Sequence, residues 1–263
     1  MKIFVINLSS SPERWAHMKR QLSGKNLDYE RFPAIVGKKS PPRILTQASC
    51  RLWQWCRLGK YLTPSEIGCT LSHLAIYRKM VLEKIPCACI LEDDVTIKNN
   101  LEDSLKKVEA LVSHSQEGIF LLSSVYDNDS EIEKVIPVSG ESAAVGYIVS
   151  LQAAARLLTL NMPIKSPCDD WRLWRSLGVP LYKSIPRAVM HDNRNIFGSM
   201  MDEENVYHIK NFYIWKIKRI FGVSLCKILC FFHSPKKLSK SAALSSALKT
   251  EKAFHDIWSN SNL

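Results

Sequence analysis

No glycine-rich phosphate cradle occurs in the sequence: neither G-x-G-x-x-G nor G-x-x-x-x-G-K-[S/T] is present. A phosphate held by this chain therefore calls for a metal ion or basic side chains in place of a glycine loop. Eight cysteines stand at positions 50, 56, 69, 87, 89, 168, 226 and 230, without a C-x-x-C pair. Neither the cysteine nor the histidine spacing makes a zinc ligand set, so zinc is a poor expectation. No apolar leader precedes the first strand-like run, and free thiols in a reducing, cytoplasmic setting are expected.

Acids are missing from Asn205 to Thr250, where nine Lys or Arg stand. That stretch supplies nine of the eleven net positive charges, so a nearly neutral body at 1–204 is expected to carry a basic tail at 205–263. An uninterrupted apolar span is lacking too. In the window Phe212 to Phe232, eleven Leu, Ile, Val or Phe favour insertion by some −5 kcal/mol in all, at about −0.3 to −0.6 each. Lys216, Lys218, Arg219 and Lys227 cost about +2.5 to +3.5 kcal/mol each near a bilayer centre, which cancels the gain. The pattern predicts a basic amphipathic helix lying on an anionic membrane surface. Nucleic acid is not expected, because the spacing of aromatic and basic residues matches no base-reading module.

What is present centres on Cys87-Ala88-Cys89-Ile90-Leu91-Glu92-Asp93-Asp94-Val95. A short apolar run after Pro86 reads as a buried parallel strand that delivers three carboxylates to its C-terminal end. In open α/β sheets that end faces the ligand crevice. Like charges this close raise one another's pKa unless a cation neutralises them, and Mg²⁺ or Mn²⁺ is the usual oxygen-bound partner. Side-chain alternation puts Glu92 and Asp94 on one side and Asp93 on the other. Solvated acids at a strand exit are the alternative.

Around this stretch strands and helices alternate. Lys2 to Leu8 predicts a first strand, and Ser11-Pro12 starts a helix to about Ser23. Asn7 and Arg14 then lie where nucleotides bind in doubly wound folds. The segment Arg31 to Ser65 carries seven Lys or Arg, no acid, and Trp53, Trp55 and Tyr61; it suits an anionic or sugar ligand, or simple packing of the rings on the body. Thr63-Pro64-x-Glu66 is a capping box with Leu62 stapled to Ile67, predicting a helix to about Glu83 that carries Ser72 and His73. Further helices are expected from Leu101 to Val112, from Ser150 to about Leu160 and from Asp169-Asp170, and strands over 118–122, 143–149 and 181–185. Asp169 and Asp170 suit a helix N-terminus for local reasons, which leaves capping and catalysis both open. Pro186 to Ser199, with His191, Asp192, Asn193 and Arg194, reads as a polar loop.

Together these segments resemble glycosyltransferase family 25, the bacterial lipooligosaccharide galactosyltransferases and their relatives. The resemblance rests on Val5-Ile6-Asn7-Leu8 with Arg14, Ser65-Glu66-Ile67-Gly68-Cys69-Thr70-Leu71-Ser72-His73, Ile90-Leu91-Glu92-Asp93-Asp94-Val95, Ala144 to Ser150 and Pro167-Cys168-Asp169, collinear from residue 3 to about 170. It implies an α/β fold of the GT-A type with a mostly parallel central sheet, a UDP-sugar donor with galactose as the default, a lipid-linked oligosaccharide acceptor, and Mn²⁺ or Mg²⁺. It also implies Glu92 and Asp94 as metal ligands; His191, beyond the matching stretch and where the family more often has another polar residue, is the expected third. Asn7, Leu8, Arg14, Glu66, Ser72, His73 and Asp93 would line the donor site, with Asp169, or Asp170 in its place, as base. The expected location is the inner face of the cytoplasmic membrane. Two other readings stand beside it. Glu92-Asp93-Asp94-Val95-Thr96 superficially fits a phosphatase nucleophile loop, though with glutamate where aspartate is needed, and the basic tail alone would serve a non-catalytic membrane adaptor.

Overall fold

The computed structural model describes residues 1–123, 134–137, 144–191 and 240–259. The strands are β1 (Lys2–Asn7), β2 (Asp28–Pro33), β3 (Cys87–Glu92), β4 (Val95–Ile97), β5 (Ile119–Leu121), β6 (Lys134–Pro137), β7 (Gly146–Ser150), β8 (Leu181–Ile185) and β9 (Val189–His191). The helices are α1 (Pro12–Leu22), α2 (Pro42–Ala48), α3 (Arg51–Leu58), α4 (Pro64–Glu83), α5 (Leu101–Ser113), α6 (Leu151–Leu160), α7 (Trp171–Ser176), α8 (Lys240–Ala253) and α9 (His255–Ser259). Seven strands form one mixed sheet in the order β2-β1-β3-β7-β5-β8-β6, and β4 pairs with β9 apart from it.

β1, β2, β3, β5 and β8 run one way; β7 lies antiparallel between β3 and β5, and β6 antiparallel on β8. The expected parallel sheet is thus mostly parallel, with a reversed strand near its middle. β1, β3 and β7 are apolar on both faces because helices cover both. Ile3, Val5, Cys89 and Leu91 face α1 and α5, while Phe4, Ile90, Tyr147 and Val149 face α4, α6 and α7. Each strand feeds two cores through its period of two.

α4 forms as its first turn dictates. Thr63 Oγ1 accepts from Glu66 N–H at 3.2 Å, the Glu66 carboxylate accepts from Thr63 N–H at 2.8 Å, and Leu62 and Ile67 are both buried. The absence of a side chain at Gly68 lets a short 3₁₀ turn, Gly37–Lys39, press against α4. A Cβ there would stand 2.6 Å from Gly37 N and from Ile35 O.

Two boundaries differ from expectation. His191 ends β9, opposite Val95, rather than lying in a loop, because the short β4 needs a partner for its backbone. The described end of the supposed tail, α8 and α9, packs on the body: α8 lies on α6 and α4, Ala243, Ala247, Ile257 and Trp258 are buried, and Arg78 binds Glu251 at 2.8 Å. Apolar side chains at helical spacing outweigh the local charge there. The amphipathic stretch expected at 212–232 and the polar residues 192–199 lie outside the described residues. Among the described residues no helix is long and apolar enough to cross a membrane.

Candidate active site

β1 and β3 are parallel neighbours with Ile6 opposite Glu92, so both strands end at the same edge of the sheet. A cavity of about 250 Å³ opens there, lined by Leu8, Arg14, the backbone segment from Ala34 to Lys38, Ser72, His73 and all three acids, among others. β3 ends at Glu92, so Asp93 and Asp94 lie in the turn that follows, where alternation along a strand no longer fixes their sides. Asp93 turns inward, where it accepts from Asn7 Nδ2 at 2.6 Å and from Arg14 Nη1 at 3.1 Å. Glu92 faces His73, with Nε2 3.6 Å from its carboxylate. Asp94 is half-buried, and its Oδ2 lies 3.6 Å from His191 Nε2 and 3.9 Å from Arg14. Its other oxygen is buried without a hydrogen-bond partner. Burial first, and the charge of Glu92 next, push the Asp94 carboxyl up to about 6.

The remaining expected residues fall into three groups. Leu8, Ser72 and His73 line the cavity, although the Ser72 hydroxyl is engaged, accepting from Ile35 N–H and donating to Gly68 O, both at 2.8 Å. Asn7 and Glu66 do not reach the cavity wall. Asn7 brackets Asp93, Ser11 O and Arg31, and Glu66 closes its capping box and pairs with Lys60 at 2.9 Å. Their polar atoms are committed to holding β1 and α4 in place. Asp169 is exposed and near enough to Glu92 and His73 to be affected by both. Partial desolvation, then the Glu92 charge, raise its pKa.

Asp170 does not fit the role of substitute base. It caps α7 through Leu173 N–H at 3.2 Å, accepts from Ser166 Oγ at 2.6 Å, and takes the Arg57 guanidinium at 2.8 and 2.9 Å. Both oxygens are occupied by the cap, the serine and a bidentate arginine, which leaves neither turned toward a substrate hydroxyl. In the basic segment Trp53 is buried, while Trp55 and Tyr61 are exposed and Arg51 stacks 4.2 Å over the Tyr61 ring.

Sequence spacing missed one cluster. Cys69, His73 and Cys168 bring their ligand atoms within 4.8 Å of one another, the arrangement that the spacing argument against zinc had set aside. Among the described residues Glu92, Asp94 and His191 do not close into such a group. A hydrogen bond from Cys168 above all, and His73 beside it, hold Cys69 down to about 7 against burial, while the Cys168 thiol is pushed well up. Burial opposes a charged His73, yet Cys69 and Glu92 outweigh it and lift the ring to about 9. His73 Nδ1 meets Tyr147 OH at 2.7 Å, and Tyr147 OH meets Tyr77 OH at 2.6 Å. The one local signal was Cys69-x-x-x-His73 on α4, a spacing that shares a helix face.

The family profile of glycosyltransferase family 25 (LPS biosynthesis protein) matches residues 1–171, a span that contains the cavity wall from Ile6 to Asp94 and, beyond it, Asp169. The chain belongs to glycosyltransferase family 25. It is 28% identical over 167 residues to the lipooligosaccharide biosynthesis protein lic2B of Haemophilus influenzae, covering 59% of this chain and 61% of that one. It is 27% identical over 171 residues to procollagen galactosyltransferase 1-B of Xenopus laevis, covering 60% of this chain and 28% of that one. A mouse relative named inactive glycosyltransferase 25 family member 3 is 27% identical over 183 residues, covering 65% of this chain and 31% of that one. The chain thus spans less than two thirds of these relatives' length. Family 25 includes members named inactive, so activity in this chain turns on its own site residues.

Proposed function

We propose that this family 25 protein is a metal-dependent inverting glycosyltransferase of the GT-A type. It would move galactose from UDP-galactose onto a lipooligosaccharide or lipopolysaccharide acceptor at the inner face of the cytoplasmic membrane. One observation carries the reading: Glu92 and Asp94 line a cavity at the common end of β1 and β3, with an Asp94 oxygen that is buried and unpartnered. Two carboxylates are hard oxygen donors and suit Mn²⁺ or Mg²⁺, with a borderline imidazole nearby. Glu92 and Asp94, with His191 beside Asp94, would hold that cation. When bound it supplies positive charge to the donor's diphosphate. Arg14, fixed by Asp93, adds a second positive charge at the same wall. Asp169 accepts the acceptor hydroxyl's proton, and desolvation, with the Glu92 charge after it, shifts its carboxyl toward taking one up. The galactose and the glycan acceptor come from the names of the relatives, and the membrane surface from the basic composition of 205–250.

The test is release and transfer of sugar from a panel of UDP-sugars, with Mn²⁺ and with chelator. Turnover should require the cation, prefer UDP-galactose, and fall by about 100-fold or more in Asp94→Asn, on the scale of losing one transition-state electrostatic group. Full transfer by Asp94→Asn in metal-replete buffer overturns the ligand assignment.

A further inference from the structure

In the cavity floor, behind the acids, lie side chains of a different chemical character. We propose that Cys69, His73 and Cys168 form a binding site for a thiophilic divalent cation of the Zn²⁺ class. Thiolate and imidazole select such ions, whereas Mg²⁺ and Mn²⁺ favour oxygen. A tetrahedral zinc with about 2.3 Å bonds to sulfur and about 2.0 Å to nitrogen needs ligand atoms roughly 3.5–3.8 Å apart. Here all three lie within 4.8 Å of one another, so closure by about 1 Å completes the set.

The geometry around the three atoms is that of a held ligand set. Cys69 and His73 share one face of α4, four residues apart. Tyr147, backed by Tyr77, engages Nδ1 of the ring and fixes its orientation, as outer hydrogen bonds do for metal-bound histidines. That leaves Nε2 on the side of the thiols and Glu92. His73 is fully buried and its Nε2 has no hydrogen-bond partner. Core filling alone leaves that buried nitrogen with nothing nearer than the Glu92 carboxylate, at 3.6 Å, beyond hydrogen-bond length. Cys168 is held by the segment before α7: its carbonyl accepts from Trp174 Nε1 at 2.9 Å, and Asp170 two residues on is locked by Arg57.

Glu92, 3.6 Å from Nε2, stands on the fourth side. A cation on the thiols therefore draws on the same carboxylate as the hard cation of the transfer reaction, and the two ions compete. This last consequence rests on the proposed function; the site itself does not.

The test uses the full chain, reduced and stripped of metal, titrated with Co²⁺ and then Zn²⁺. The expected result is one equivalent per chain, with thiolate-to-cobalt charge-transfer absorption and intense visible bands that Zn²⁺ abolishes. Cys69→Ser and Cys168→Ser should each weaken binding more than about 10-fold, the lower end of what losing even an outer-shell partner costs. Cys226→Ser with Cys230→Ser should leave the equivalent in place, which excludes that pair as the site. Should the serine variants fail to fold by circular dichroism, Zn²⁺ protection of Cys69 and Cys168 from alkylation in the unsubstituted protein decides. Absence of the thiolate band overturns the proposal, as does its survival without Cys69 or Cys168. So does recovery of a Cys69–Cys168 disulfide from a protein that, once reduced, binds neither ion. Metal binding is read optically, so its failure is distinguishable from a failure of sugar transfer.

Discussion

Asp93 is the middle acid of three, and its surroundings give it a different task from its neighbours. It is 8% exposed and held by Asn7 and Arg14, so its charge is matched inside the protein before any ligand arrives. Removing one partner of a buried pair leaves the other charge unmatched and costs about 3–5 kcal/mol. Arg14→Leu should therefore lower the urea midpoint by that equivalent, and Asp93→Asn added to it should restore part of the loss. An unchanged midpoint in Arg14→Leu would show that water, not arginine, carries the Asp93 charge. Two thiols offer a second check. Burial pushes Cys87 up to about 11 and Cys89 higher still, and both are buried in β3. A thiol reacts as thiolate, so both should resist alkylation at pH 8 in the native protein and label fully in denaturant, as read by peptide mass mapping. Their positions on β3 were legible, because an apolar run between a proline and three acids has few other readings. The partnership of Cys69 with Cys168 was not. Ninety-nine positions separate them, and the contact exists only once α4 and the turn before α7 meet on one face of the sheet.

Among the elements, α4 does most to shape the cavity. Its N-cap, proline, capping box and staple are local and were readable in six consecutive residues. Gly68 was readable only as an open first turn, since what fills the space, the 3₁₀ turn at Gly37, comes from thirty-one residues upstream. Gly68→Ala puts a Cβ against that backbone, where no side chain can rotate away. Overpacking of this kind costs about 1–3 kcal/mol. We expect a lower melting temperature and, because Ala34 to Lys38 line the cavity, weaker UDP binding by calorimetry. A rigid displacement of the turn with affinity retained would mean that this wall does not touch the ligand. The reversed β7 was legible as a strand and not as to direction, since apolar runs buried on both faces look alike whichever way they point. Asp170 shows the same limit. An acid before a helix reads equally as cap or base, and only Arg57, brought in from α3, decides for the cap.

At the scale of the whole molecule, the family profile ends at residue 171, yet the body does not. α8 covers α6 and α4, α9 buries Trp258 at 1% exposure, and Arg78 ties α4 to Glu251. Trp258→Ala should cost about 3–5 kcal/mol, the range for removing a buried aromatic, and lower the thermal midpoint accordingly. A midpoint unmoved by that substitution would assign the last helices to the surface. Composition suggested one basic tail from 205 onward because charge dominates its first two thirds, whereas the alanines that seat α8 carry little signal of their own.

That seating bears on how the protein is made. A ribosome delivers the half that forms the cavity before the covering helices, so the outer sides of α4 and α6 emerge bare. Until α8 seats Ala243 and Ala247 on them, those sides keep an apolar face open to other chains, which is when misassembly has its chance.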